Sequence, residues 1–117
     1  MNAIRLAVGI PVLIITSATA RLSAQAADGQ AVYKEECKSC HGINGVPPER
    51  AVRLYPKIKA LGAGGFVSAL SEDSIVTILK KGVDKDMKSF SQKLDEAEIK
   101  AVAKYIRVLA SKKKEGS

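Results

Sequence analysis

The chain of 117 residues has no tryptophan, two phenylalanines and three tyrosines. So few large side chains leave one small domain short of the apolar bulk that a self-sufficient core needs. There is a single histidine and there are only two cysteines. Three such ligands, two of them thiols beside the imidazole, cannot easily close the four-ligand shell of a structural zinc site. One disulfide between Cys37 and Cys40 would close a tiny loop and constrain little. No convincing strand pattern, internal repeat or long low-complexity segment is present. A small domain lacking both core and staples commonly recruits a metal or cofactor.

The N-terminus reads as an export signal. Arg5 precedes the apolar run "LAVGIPVLII", and a small-residue stretch follows that ends "SAQA" at positions 23–26. A basic start, an apolar middle of about ten residues and an A-x-A ending match a secretory signal peptide. The expected division is therefore a signal peptide over 1–26, a folded domain over 27–111 and a basic flexible tail over 112–117. An uncleaved anchor is the alternative for the first segment, although the stretch between Arg5 and Arg21 falls short of the ~20 apolar residues of a spanning helix. On either reading the domain lies outside the cytoplasm, in a periplasmic or equivalent space. Loss of Arg5 and Arg21 lowers the formal net charge from +7 to +5.

Three helices are legible, so the domain is expected to be all-α. The first covers about 29–37, "GQAVYKEEC", capped by Asp28, with Ala31, Val32 and Tyr33 as apolar contacts. The second covers 71–81. Ser71 is its N-cap, Glu72 and Asp73 sit in the first turn, Leu70 and Ile75 have the spacing of a hydrophobic staple, and Gly82 stops it. The third, "LDEAEIKAVAKYIRVLAS", opens with a D-x-x-E capping pattern at Asp95 and Glu98. Ile99, Val102, Ile106 and Leu109 recur on one face, with Lys100, Lys104 and Arg107 on the wet side. Residues 42–70 form a long irregular region, with one short helical turn expected over 55–61. A loop of that length needs something to wrap around.

The chemistry is concentrated in "CKSCHG" at 37–42, which holds both cysteines and the one histidine. A C-x-x-C pair at a helix terminus can be a thiol–disulfide site, but that reading expects a preceding strand, and none is legible. An incidental disulfide beside a surface histidine is the bland alternative. C-x-x-C-H is also the attachment signature for haem c. Each thiol then adds to one vinyl group, and the next residue, His41, becomes the proximal iron ligand.

These residues and their surroundings resemble the class I, monohaem c-type cytochromes, over essentially all of 27–110. Gly29, Tyr33 and Cys37 fall four apart, as in the family, where a glycine and an aromatic let the first helix cross the last closely. Val102 and Tyr105 match the other half of that crossing. "LDEAEIKAVAKYIRVL" resembles the family's C-terminal helix, and "ILKKGVDKDMKSF" resembles the segment delivering the sixth iron ligand. The resemblance implies a small cytochrome c fold with loops wrapped around one covalent haem. It implies thioether bonds from Cys37 and Cys40, and axial ligation by His41 and Met87. Lys88 stands where the family often has proline, and Lys85 and Lys88 are competing ligands if deprotonated. A carbonyl near Pro47 or Pro48 is expected to orient the His41 ring, and Arg50, Arg53 and Tyr55 to meet the haem propionates.

With both axial positions filled, iron offers no site to a substrate. The implied function is electron transfer between extracytoplasmic redox partners, with no enzymatic activity. The alternatives are a haem subunit docked in or tethered to a larger oxidoreductase complex, or a thiol–disulfide redox protein. Lys38, Lys80, Lys81, Lys85 and Lys88 suggest partners with acidic docking surfaces. The carrier is expected to be a monomer. No aromatic–basic interleaving points to nucleic acid, and no stable membrane insertion is expected if the signal is cleaved.

Overall fold

The computed structural model describes residues 8–12 and 26–112. Most of the segment read as a signal peptide and all of the basic tail except Lys112 lie outside them. Among the described residues there are five α-helices, one 3-10 turn and no strand. They are α1 (Gly29–Glu36), α2 (Lys38–His41), α3 (Glu49–Leu54), the 3-10 turn Phe66–Ala69, α4 (Glu72–Lys81) and α5 (Glu96–Ser111).

Local chemistry explains where the three long helices begin. The Asp28 carboxylate accepts the N–H groups of Gln30 and Ala31 at 3.0 and 3.3 Å, two of the donors a helix start leaves unpaired. Ser71 Oγ accepts from Ser74 N–H at 3.1 Å. Asp95 and Glu98 form a complete capping box, each side chain accepting the other's backbone N–H, at 2.8 and 2.9 Å. The first helix breaks at Cys37, where the chain re-enters one further helical turn as α2.

The α1 and α5 helices cross in close contact. A side-chain carbon placed on Gly29 would lie 2.1 Å from the Ala101 carbonyl oxygen and 3.1 Å from Tyr105 Cβ. Only glycine lets the two backbones approach that far. Next to the crossing the Tyr33 and Tyr105 rings pack tilted at 5.4 Å. Tyr33, Ile75, Leu79, Ile99, Val102, Ile106 and Leu109 are all buried in one core, each aliphatic worth about 1.5–3 kcal/mol of transfer free energy. Ala31, read as an apolar contact, is exposed, while Val32 is half-buried.

Two features of the middle region differ from the sequence reading. The short helix forms over Glu49–Leu54, and the 55–61 stretch is not helical. Pro48 sits at the N-cap, and Tyr55 precedes Pro56 in a non-helical conformation, the geometry a following proline imposes. The loop is also not merely wrapped outside. Ala63 and Gly64 donate their N–H groups to the carbonyls of Leu109 and Ala110 at 3.2 and 3.0 Å, closing the end of α5.

Candidate functional site

The one-turn helix α2 carries the C-x-x-C-H motif. Cys37 is buried, and Cys40 and His41 are half-buried. Both thiols are free. Burial, with the neighbouring Glu36 carboxylate second, pushes the Cys37 thiol up to about 12. A redox-active cysteine needs the opposite shift, so the thiol–disulfide reading loses support here.

His41 Nδ1 lies 3.1 Å from the Lys59 carbonyl oxygen. An imidazole donating from Nδ1 keeps its Nε2 lone pair free for a metal. Burial lowers the His41 pKa, partly offset by that same bond, which favours the neutral ring. The orienting carbonyl is thus not near Pro47 or Pro48. The proline that marks its loop is Pro56, three residues before Lys59, a signal present in the sequence. Just past His41, the buried Tyr33 hydroxyl donates to the Gly42 carbonyl at 2.7 Å, tying the motif to α1.

Met87 comes from a separate segment, an arm between α4 and α5. Val83 and Met87 form an isolated antiparallel bridge through backbone bonds of 2.8 and 3.1 Å. Gly82, at φ +76°, makes the turn into this arm. A side-chain carbon there would lie 2.5 Å from the Met87 carbonyl oxygen and 2.7 Å from Ser89 N. Beyond Met87 the arm is fastened to the end of α4. Phe90 N–H donates to Leu79 O at 2.9 Å, and the Ser89 and Ser91 hydroxyls both donate to Lys80 O.

Cys37, Cys40, His41 and Met87 all line one cavity of about 450 Å³, within the usual range for ligand sites. Its walls are mostly apolar, with Leu61, Phe66, Val67, Ile75, Leu79 and Ile106 among them. Its rim carries Glu36, Tyr55, Lys57, Lys59, Asp84, Asp86, Lys88 and Lys93. Among the described residues no group of three or more His, Cys, Asp or Glu is placed to hold a metal ion by itself. The donor set is two thiols, one neutral imidazole with a free nitrogen, and one thioether, inside an apolar slot. That set fits a flat apolar macrocycle attached through sulfur, with His41 and Met87 as residues that could ligate its metal.

Of the other residues singled out, Tyr55 reaches the cavity, but Arg50 and Arg53 do not line it. Arg53 is instead paired with Glu49 on the exposed face of α3. Lys88 lines the cavity and Lys85 the adjoining surface groove. Lys80 is turned away and paired with Glu96 at 2.7 Å. A rim pair was not legible at all: Glu36 and Lys93, 2.6 Å apart, with the contact holding the Lys93 ammonium above its ordinary pKa.

Comparisons with known proteins agree with this chemistry. Residues 24–106 match the family described as cytochrome C oxidase, cbb3-type, subunit III. The chain is 31% identical over 91 residues to the cbb3-type cytochrome c oxidase subunit CcoP of Azospirillum brasilense, covering 78% of this chain and 30% of that protein. It is 33% identical over 103 residues to chloroplastic cytochrome c6 of Chlamydomonas reinhardtii, covering 86% of this chain and 66% of the relative. The chain thus spans less than two thirds of the length of either relative. Among solved structures, the c-type cytochrome KustC0563 superposes with a TM-score of 0.63 at 26% identity, covering 71% of this chain and 98% of that one. A helical domain with one C-x-x-C-H motif, matched over most of its length by these proteins, belongs to the monohaem c-type cytochromes, and its cofactor is covalently bound haem c.

Proposed function

We propose that the protein is an exported one-electron carrier whose single haem is held by Cys37 and Cys40 and ligated by His41 and Met87. The observation that carries this reading is the convergence of those four side chains on one apolar cavity. Bound there, haem c supplies a ferric–ferrous couple. The chain's residues do the rest. Each thiol adds S–H across one vinyl double bond, so attachment needs no oxidant. The Lys59 carbonyl 3.1 Å from His41 Nδ1 would leave Nε2 free to ligate. The neutral Met87 thioether favours the ferrous state and raises the potential. With His41 and Met87 both as ligands, the iron would offer no position to a substrate, which argues for transfer rather than catalysis. The folded domain is 27–111, wrapped about the haem, behind a signal peptide over 1–26.

The exposed rim lysines Lys57, Lys59, Lys88 and Lys93 outnumber Glu36, Asp84 and Asp86. That balance suits a partner with an acidic docking face, mainly by raising the association rate. A second reading, a haem subunit of a larger oxidoreductase complex, is favoured by the cbb3-type family match and by the oxidase-subunit relative.

Three measurements test the proposal. Acid–acetone extraction of holoprotein should leave haem on the polypeptide, and Cys37→Ala with Cys40→Ala should abolish that retention. The oxidised protein should show a far-red sulfur-to-iron charge-transfer band that Met87→Ala removes and that Lys85→Ala and Lys88→Ala leave in place. A wild type lacking the band overturns the His41/Met87 assignment. Gel filtration of the native protein from its source separates a free monomer from a complex subunit.

A further inference from the structure

We propose that the Glu36–Lys93 ion pair is a latch that keeps the Met87 arm closed across the haem site, making Glu36 and Lys93 positioning residues for the axial sulfur. This rests on the reading of Met87 as an iron ligand.

Two separate stretches of chain wall the cavity with the proposed ligands. One is the end of α1 with α2, which holds Glu36, Cys37, Cys40 and His41. The other is the arm, which holds Met87, Lys88, Ser89, Phe90 and Lys93. The arm's own fastenings run to α4, through Leu79 O and Lys80 O. Those bonds hinge the arm on one side and do not reach the attachment wall. Among the described residues, the 2.6 Å contact between Lys93 Nζ and Glu36 is the one hydrogen bond or ion pair joining the two walls.

The setting makes this pair unlike the other three. Arg53–Glu49 and Lys100–Glu96 lie within single helices, and Lys80–Glu96 joins α4 to α5, all with side chains well exposed. The Glu36 side chain is only 11% exposed, although Lys93 is 63% exposed. Solvent and salt therefore screen this contact less than an ordinary surface pair. Without Lys93, the Glu36 carboxylate would remain shielded and without its partner beside the apolar slot, which is costly. Glu36 also immediately precedes Cys37. The latch therefore ties the arm directly to the attachment point instead of to a distant surface.

In the holoprotein, opening would be a ligand exchange: Met87 would give up its place to an external nitrogen ligand, with no change of oxidation state. The test uses ferric holoprotein and imidazole as the probe, with the binding rate read by stopped flow as loss of the far-red band. Lys93→Gln and Glu36→Gln should each admit imidazole about fivefold faster than wild type. The charge-reversed double variant Glu36→Lys with Lys93→Glu should return most of the way. Added salt should speed wild type and leave the single variants unchanged. Ser71→Ala, which loses a cap at the end of α4 remote from the arm, should lower stability without changing the rate. A wild type showing the band, with both single variants binding imidazole at its rate, overturns the latch alone. A rate that rises equally in Ser71→Ala also overturns it, because the effect would then be general destabilisation. A wild type without the band overturns the Met87 reading and the latch with it.

Discussion

The imidazole of His41 is oriented by a backbone carbonyl eighteen residues away, at Lys59, across 3.1 Å. The acceptor belongs to the main chain, so no side-chain replacement at Lys59 removes it. The ring is also buried enough to lower its pKa below the ordinary value.

That burial has a signed consequence for pH. The folded state binds the His41 proton less readily than the unfolded chain. This contribution to stability is therefore fully present above about pH 6.5, the unfolded value, and is lost as pH falls below it toward the folded value. Urea titrations of the haem-free chain, in which no iron occupies His41, stepped from about pH 8 to about pH 5 should show a falling midpoint. A midpoint that is flat or rises over that window is the contrary result.

Gly29→Ala should loosen the α1–α5 crossing. The new carbon would press on the Ala101 carbonyl oxygen at 2.1 Å, and backbone cannot rotate away as a side chain can. A loss of about 1–3 kcal/mol is expected, measured by chemical denaturation. The far-red band of the residual folded protein should persist, because the arm is untouched.

Gly82→Ala should act on the arm instead. It combines a φ of +76° with a carbon 2.5 Å from Met87 O. That backbone, with ψ at 180°, is one only glycine adopts readily, and it costs an L-residue about 1–3 kcal/mol. The clash falls on the backbone that carries Met87, so the band should weaken and the reduction potential drop. A variant with the wild-type potential and spectrum would show that the turn does not govern Met87.

Tyr33→Phe removes the hydroxyl that reaches Gly42 O at 2.7 Å from a fully buried ring. The ring packing on Tyr105 remains, and Gly42 O keeps its bond from Gly45 N–H at 3.1 Å, so the cost should be that of one hydrogen bond, about 1 kcal/mol. Thermal unfolding of the two holoproteins side by side measures it.

What the sequence made legible follows the range of the forces involved. The α5 start could be read because Asp95 and Glu98 sit three residues apart and cap each other. Its buried face repeats at a period the chain displays openly. The Gly29–Tyr33 and Val102–Tyr105 crossing was legible only through family resemblance, since nothing near Gly29 reveals what it meets. The α3 helix was misplaced although both prolines bounding it were visible. Pro48 opens it and Pro56 forbids its extension. The His41 acceptor and the Glu36–Lys93 pair depend on how separate segments approach in space. Pro56 marks the loop that holds Lys59, but no local pattern at Lys93 marks its role. Arg50 and Arg53, suggested for the propionates, lie outside the cavity lining, because the direction in which α3 faces is set by tertiary packing.

The α1–α5 crossing also dictates an order of assembly. Gly29 and Ala101 touch, yet they are separated by most of the domain's length. Bringing them together closes a large loop, whose entropic cost rises only slowly with its length. Translation delivers Cys37 through His41 early, Met87 much later, and Ala101 later still. Until α5 exists, α1 has no partner across Gly29, and the attachment thiols cannot be sealed beneath the arm. The motif thus stays open to haem attachment until α5 has docked on α1. The last helix to emerge ends that interval.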